Sequence, residues 1–567
     1  MHQPKRIVIV GGVAGGASAA ARARRLSEDA DIILFERGPH VSFANCGLPY
    51  HIGGEIEDRT RLLVQTPQSL MARFNLDVRV DTEVLAIDAL AKVLTVRNRK
   101  TGQQSREPYD ALVLSPGGEP LRPPIPGGSD PRILTLRNMG DMDAILAAMA
   151  GAKDALVVGG GYIGLEMAEA FRNRGLKVTL VEKMNQVMSV ADPEMAAPLH
   201  EELVRQGVDL RLGTSVTGFE SRGDLLAVLS DGSKVACALA LLAIGVRPET
   251  TLARSAGLVV GTTGGILVDE HMRTSDPHIW AVGDAVEVRD AVLDGPALIP
   301  LAGPANRQGR IAADNILGRP SSYKGTQGTA VCKVFDLAFA MTGHSEKSLL
   351  RRGVPFRKIY VHPADHATYY PGAHPMSLKL LFDPEQGRVL GAQAVGAAGV
   401  DKRIDVVATA MRGSLTVYDL EDAELCYAPP FGSAKDAVNM AGFVAANVLR
   451  GDVVLWEPEE LATLGPNQVL LDVRNLSEFQ VGSIPGARLT PVDELRERLA
   501  ELDPAKEYLL FCQVGLRGYV ACRMLSQLGY QVRNLSGGYK RYQMWKGKAH
   551  GGLACETVRN EEESLPG

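Results

Sequence analysis

Twice in this chain a short apolar strand runs into a cluster of glycines and then into a helix. That repeat limits the folds open to it more than any other feature. Residues 6–10 lead into Gly11, Gly12, Val13, Ala14, Gly15 and Gly16 and an Ala/Arg-rich helix over 17–26. Residues 155–158 lead into Gly159, Gly160, Gly161, Tyr162, Ile163 and Gly164 and a helix to about Arg174. Each unit continues into a second apolar strand ending in an acid, Glu36 in the first and Glu182 in the second. A strand, a glycine turn, a helix and an acid about 20 residues on make up the dinucleotide-binding βαβ unit, with the pyrophosphate on the helix N-terminus. Two units predict two dinucleotides.

The second unit carries every expected part. Gly159 makes the turn, Gly161 lets backbone approach the pyrophosphate, and Gly164 lets helix and strand pack closely. Glu182 would accept hydrogen bonds from ribose hydroxyls and repel a 2′-phosphate, which favours NADH; Lys183 beside it pulls the other way. The plainer alternative is a strand-to-helix turn with no ligand. The first unit departs from the pattern, because Val13 takes the middle glycine position.

At 567 residues the chain is long enough for about three to four domains. Its net charge of −5 gives no reason to expect a nucleic-acid partner. No apolar run reaches the ~18–20 residues of a membrane span, and no signal peptide is evident, so a cytoplasmic protein is expected. The cysteines, Cys46, Cys237, Cys332, Cys426, Cys512, Cys522 and Cys555, form no C-x-x-C pair and no zinc-like cluster, so no metal is expected. Strand-like runs at 329–340, 356–361 and 377–382, closed by a helix over 434–449, predict an α+β domain. The expected division is 1–150 with 271–324 for the first nucleotide domain, 151–270 for the second and 325–450 for the α+β domain. A linker at 451–460, with a flexible reach of roughly 15–20 Å, then precedes a compact α/β unit over 461–555 and a frayed tail at 556–567.

Three further segments carry a resemblance. Ile279 to Asp284 is a strand ending in Gly283-Asp284, while Leu112–Gly117 and Leu242–Pro248 look like paired crossings between two nucleotide domains. This order resembles the pyridine nucleotide–disulfide oxidoreductase family over residues 1–450. The resemblance implies FAD in the first unit, NAD(P)H in the second, and a third domain that makes a homodimer. Besides the glycine turn and Glu36, it implies FAD contacts from Arg37, Asn45, Val84, Ser115, Gly117, Gly283, Asp284, Pro300, Leu301 and Ala302. Glu166 and Gly245 join the nicotinamide side.

Ser42-Phe-Ala-Asn45-Cys46-Gly-Leu-Pro-Tyr50 follows the first acid strand. Dithiol members of the family carry C-x4-C here, but position 51 is His, so Cys46 must work alone, as a mixed disulfide or a sulfenic acid. The segment resembles the single-cysteine branch: coenzyme A-disulfide reductases, NADH-dependent persulfide reductases, and NADH oxidases and peroxidases. Thr368–Gly372 and Glu424–Phe431 resemble the tyrosine pair of the coenzyme A-disulfide reductases, which implies that Tyr369 (preferred over Tyr370) and Tyr427 reach the partner subunit's site to assist the departing thiolate. The plain alternative for either is a core or interface residue, and for Cys426 a buried hydrophobe. Arg22, Arg73 and Arg307, with Ser42, Asn45 and Asn306, are candidate coenzyme A contacts; solvated surface charge is the alternative for Arg73 and Arg307.

At the C-terminus, Asp472-Val-Arg474, Gly482-Ser-Ile-Pro-Gly-Ala487 and Cys512-Gln-Val-Gly515-Leu-Arg517-Gly518 appear in the order of a single rhodanese domain and resemble that family. Cys512 falls between a strand end and a helix start (helix 519–528), where N–H donors and the helix dipole stabilise a thiolate or persulfide. Cysteine-phosphatase loops are the runner-up, but they are one residue longer between Cys and Arg than Cys512 to Arg517.

Together these features predict an α/β protein. It has two Rossmann-like dinucleotide-binding domains, an α+β dimerisation domain and a C-terminal α/β rhodanese domain. The expected activity is NAD(P)H-driven, FAD-dependent reduction of coenzyme A persulfide, polysulfide or coenzyme A disulfide through Cys46, with Cys512 and Arg517 handling sulfane sulfur. An NADH oxidase or peroxidase cycling Cys46 through sulfenic acid is the alternative. A redox-sensing or sulfur-binding scaffold is the non-enzymatic one.

Overall fold

The computed structural model describes residues 5–549. Four sheets organise it. The first nucleotide sheet is all parallel, in the order Ile279–Ala281, Ala111–Leu114, Arg6–Val10, Asp31–Phe35, Asp77–Arg79. The second repeats the plan as Val208–Arg211, Lys177–Val181, Asp154–Val158, Leu239–Leu242, Ile133–Leu134. Their central strands are buried on both faces, which is why they read as continuous apolar runs rather than alternating ones. The domains are joined through Gly118–Pro120, which pairs antiparallel with Val246–Pro248, as the paired crossings lead one to expect.

The expected boundaries between these domains shift. Ile133–Leu134 adds an edge strand to the second sheet, and Met139, Met142 and Ile145 of the next helix pack into its core. So the first domain ends well before 150. Conversely Ala253, Leu258 and Ile266 pack into the first domain's core, so the return crossing comes before 271. Both misplaced pieces are too short to show a periodic pattern.

The third domain is an antiparallel sheet ordered Ala330–Val334, Leu337–Gly343, Val389–Gly396, Met376–Phe382, Arg357–Val361, backed by the helices Val400–Arg412 and Ala437–Leu449. The single run expected over 329–340 is a hairpin. Phe335 has φ 53° at its turn, a conformation that sequence patterning does not signal.

The C-terminal sheet is parallel, ordered Leu455–Trp456, Gln531–Leu535, Glu507–Phe511, Gln468–Asp472, Arg488–Leu489. Its edge strand lies inside the segment expected to be a flexible linker, and that expectation is corrected. Trp456 is fully buried and its indole N–H donates to the Leu510 carbonyl. Burying one such side chain is worth roughly 2–3 kcal/mol, which ties the segment down.

The domain is also docked rather than tethered. The Ser536 hydroxyl accepts from the Tyr360 N–H, and Arg541 lies 4.4 Å from the centre of the Tyr360 ring. Met544 joins the core shared by the second and third domains. Beneath Tyr360, the Lys379 ammonium bonds Asp192, Glu194 and Glu346 at 2.8, 2.6 and 2.5 Å. Those three carboxylates converge as metal ligands would, but an ammonium fills their centre. No helix among the described residues is long and apolar enough to cross a membrane. The expected tail 556–567 and Cys555 lie outside the described residues.

Candidate active site

Both glycine turns present free backbone donors. The helices Ala14–Leu26 and Tyr162–Asn173 start at Val13 and Gly161 with no side-chain cap and no acid in the first turn. Their unpaired N–H groups and positive dipole ends face outward, ready for an anion. The backbone there is fitted closely. A Cβ on Gly11 (φ 97°) would stand 2.0 Å from the Ser115 carbonyl oxygen, and one on Gly16 would stand 1.9 Å from that of Gly11. Gly159 and Gly164 repeat both restrictions against Ala243 and Gly159. Glu36 accepts from the Gly12 and Gly38 N–H groups at 2.9 and 2.8 Å, and Glu182 from those of Gly160 and Met184 at 2.6 and 2.7 Å. Each acid is thereby locked at its strand end, beside the place a ribose takes in such units. The turns, the acids and the open helix starts fit two dinucleotides. Val13 does not spoil the first turn, because as N-cap it offers backbone rather than side chain. Lys183 and Gly245 are both exposed beside the second turn.

Ser115, Gly117, Gly283 and Asp284 converge from neighbouring strands. The Ser115 hydroxyl and Val282 crowd Gly15, and Gly283 donates to Gln308 at 2.8 Å. Leu301 and Ala302 begin the helix Ala302–Ile316, which packs on the first glycine-turn helix; Ala302 is exposed, as is Pro300 before it. Val84 is buried in the first core and Arg37 is exposed next to Glu36.

Cys46 lies in a single 3-10 turn, Asn45–Gly47, that opens into the helix Leu48–Gly53. The residue is exposed. Its thiol nevertheless titrates above the ordinary range, because the surrounding walls enclose the sulfur and because Glu166, then Asp284, place negative charge nearby. Glu166 itself is pushed up to about 7, chiefly by burial, with Glu169 adding to it. The Tyr50 hydroxyl donates to Glu166 at 3.4 Å. Tyr50 and Glu166 line a small, partly open cavity with Lys333, which is bridged to Glu169. Glu166 can therefore change its protonation state at neutral pH close to the Cys46 thiol. Replacing Glu166 with Gln removes that charge, so the Cys46 thiol should ionise at lower pH. The pH profile of iodoacetamide labelling in the holoenzyme should move down; an unmoved or raised profile would refute the coupling. Tyr50 is the residue that sequence reasoning passed over here. It stands four residues after Cys46, but only the docking of its helix on Tyr162–Asn173 reveals its partner.

The tyrosine pair is formed. Tyr369 and Tyr427 share a hydrogen bond of 2.6 Å between their hydroxyls, whereas Tyr370 packs edge-on against His366. Tyr369, Tyr370, Tyr427 and Phe431 are all exposed, a cluster of aromatics on the third domain. Cys426 is exposed too, which corrects the expectation of a buried hydrophobe. Of the candidate coenzyme A contacts, Arg73, Asn45, Asn306 and Arg307 are exposed, and Asn306 accepts from Ser18. Ser42 is half-buried with φ 50°. Arg22 differs. It is 8% exposed and its Nε is ion-paired to Asp314 at 2.6 Å, while its buried Nη2 has no hydrogen-bond partner.

Cys512 ends the strand Glu507–Phe511, and its Sγ accepts from the Gly515 N–H at 3.1 Å. Gly515 has φ 102°, which turns the loop so that the helix Leu516–Gln527 starts against the sulfur. Only glycine adopts that conformation without strain. Arg474 is buried on Asp472 and stacks on Tyr539, which holds the loop from behind. Arg517 makes a two-pronged pair with Glu478, a residue the motifs did not single out.

Three comparisons bear on this geometry. Residues 5–309 match the pyridine nucleotide-disulphide oxidoreductase family, 329–438 its dimerisation domain and 457–544 the rhodanese-like domain. Coenzyme A disulfide reductase of Staphylococcus aureus (strain JH9) is 36% identical over 443 residues, covering 78% of this chain and 99% of the relative. The crystal structure of reduced Bacillus anthracis CoADR-RHD is similar at TM-score 0.94 and 49% identity, covering 95% of this chain and 98% of that one. The NAD-dependent persulfide reductase from A. fulgidus is similar at TM-score 0.89 and 35% identity, covering 94% and 99%.

Proposed function

Because the chain belongs to the pyridine nucleotide-disulphide oxidoreductase family, with that family's dimerisation domain and a rhodanese-like domain, we propose that it reduces coenzyme A persulfides and disulfides with NAD(P)H through Cys46, fed with sulfane sulfur by Cys512. The observation that carries this reading is the exposed thiol of Cys46 at a helix entry, near the carboxyl of Glu166, in a chain that also docks a second loop-cradled thiol. Flavin chemistry, supplied by FAD when bound, links a two-electron hydride donor to a thiol. The chain's own residues do the rest. The glycine turns and Glu36 and Glu182 hold the two dinucleotides. The Cys46 thiolate attacks the coenzyme A sulfur of a persulfide, forming a mixed disulfide as hydrosulfide leaves; with coenzyme A disulfide the leaving group is a coenzyme A thiolate. Two electrons from NAD(P)H then return both sulfurs to thiols. Glu166, near neutrality, can hold or release the accompanying proton.

The exposed aromatic cluster supports a homodimer in which Tyr369 and Tyr427 of one subunit face Cys46 of the other, their joined hydroxyls donating to the leaving thiolate. Exposed Arg73, Arg307 and Asn306 suit the phosphates of coenzyme A, whereas Arg22 is largely buried on Asp314. The test is anaerobic NADH oxidation with coenzyme A persulfide, coenzyme A disulfide, polysulfide and oxygen as separate acceptors. The two coenzyme A substrates should be turned over fastest; oxygen as the best acceptor would favour an oxidase instead. With an alkyl persulfide as a further acceptor, Cys512→Ser should lose its reduction while keeping most direct reduction of coenzyme A persulfide. Equal loss of both would place Cys512 on the obligatory route.

A further inference from the structure

The cation at the mouth of the Cys512 loop is already neutralised. Arg517 lies in the first turn of the helix that follows Cys512, and its Nη1 and Nη2 donate to the two oxygens of Glu478 at 2.7 and 2.6 Å. This fork-to-fork geometry uses both terminal nitrogens and is the strongest arrangement open to a carboxylate and a guanidinium. Arg517 holds Glu478 below the usual carboxylate range, and Glu478 in turn strengthens the charged form of Arg517. The pair carries no net charge. Arg474 is bound to Asp472 and Gln513, while Arg541 lies on Tyr360 and Lys540 stands near His362, both at the docking face.

The surroundings of the pair are apolar and open. Val514 and Leu516 flank Gly515 in the loop and are 39% and 60% exposed. Val520, one helical turn after Arg517, and Val481, one turn after Glu478, are exposed as well. Isolated apolar side chains are common on surfaces, but here they share the loop and the helix faces that carry the Arg517–Glu478 pair.

We propose that Cys512 takes its sulfur from an organic persulfide, whose apolar arm lies on this rim, and discriminates against small inorganic dianions such as thiosulfate, with Glu478 as the residue that sets this specificity. The inference rests on the sulfur-carrier reading of Cys512. A dianion must bring two charges to a mouth of zero net charge, against the Glu478 carboxylate. A persulfide on an uncharged organic arm brings at most one, and that arm gains contact with apolar surface. The Cys512 thiolate attacks the terminal sulfur of R–S–SH. The Cys512 S–S bond forms, the R–S to sulfur bond breaks, R–S⁻ departs, and the transferred sulfur keeps its proton. With thiosulfate the same attack would release sulfite. Neither transfer needs an external oxidant or reductant.

The test follows the mass of the intact holoenzyme after brief exposure to n-butyl persulfide or to thiosulfate, with Cys512→Ser as the control for the site. A gain of one sulfur, removable by dithiothreitol, reports loading. Wild type should load from n-butyl persulfide at least tenfold faster than from thiosulfate. In Glu478→Gln the amide oxygen can still accept from Arg517, but the mouth gains a positive charge. The ratio of thiosulfate to persulfide loading rates should then rise at least tenfold. Thiosulfate loading wild type as fast as the persulfide, or an unchanged ratio in a Glu478→Gln variant with wild-type circular dichroism, overturns the specificity assignment. No Cys512-dependent gain from either donor overturns the carrier reading itself, and the inference with it.

Discussion

Cys46→Ser is expected to keep FAD and accept hydride from NADH while losing reduction of coenzyme A persulfide and disulfide by at least about a thousandfold. The proposed nucleotide cradles are built from backbone at Gly11–Gly16 and Gly159–Gly164 and from Glu36 and Glu182, none of which depends on the thiol. The substrate side needs a sulfur nucleophile, and the hydroxyl of serine ionises far too high to replace it. No second described cysteine is placed to substitute. Cys332 is buried, and its thiol is pushed up by that burial and by Glu166 and Glu169. The check is to record bleaching of the flavin absorbance by NADH beside steady-state turnover with each acceptor. A variant that bleaches normally and still reduces coenzyme A persulfide at the wild-type rate would rule Cys46 out as the nucleophile.

Lys379→Met should be the most damaging substitution for stability. Lys379 is 0% exposed and its ammonium satisfies three carboxylates drawn from two domains, while the neighbouring Tyr360 links them to Arg541 of the rhodanese domain. Removing one partner of a buried ionic cluster costs roughly 3–5 kcal/mol, because the remaining charges lose their compensation. The loss carries a pH signature. Burial works to raise Glu194 and Glu346, yet Lys379, with Arg541 for the first and Lys358 for the second, holds both below the usual carboxylate range. A depressed carboxylate adds stability that is fully present above its unfolded value, near 4.3. That stability disappears as pH falls through the lower folded value. Without Lys379 the burial effect prevails and the two groups rise, so the variant suffers most where they must remain ionised. Melting followed by circular dichroism should show a wider gap between wild type and variant at pH 8 than at pH 5. A gap that is equal or wider at pH 5 would contradict this account of the junction.

The two glycine turns, the lone Cys46 and the Cys512 loop were legible in the sequence because their chemistry depends on local backbone. A tight turn admits only glycine, a phosphate needs consecutive free N–H groups, and a loop thiol needs a strand before it and a helix after it. All of these lie within some thirty residues of chain, so spacing alone reveals them. What the sequence could not decide is everything made by elements far apart. Tyr50 meets Glu166 across 116 residues, Lys379 meets Glu194 across 185, and Glu478 reaches Arg517 across 39. None of these pairs leaves a periodic trace, since a charged or phenolic residue looks the same in sequence whether it faces solvent or a buried partner. For the same reason residues 451–460, rich in acids and carrying a proline, read as a linker. Pairing of Leu455–Trp456 with the last strand and the burial of Trp456 made that segment part of a docked domain. Local backbone demands are written in residue order; the charge balance around each thiol was decided only when distant elements packed together.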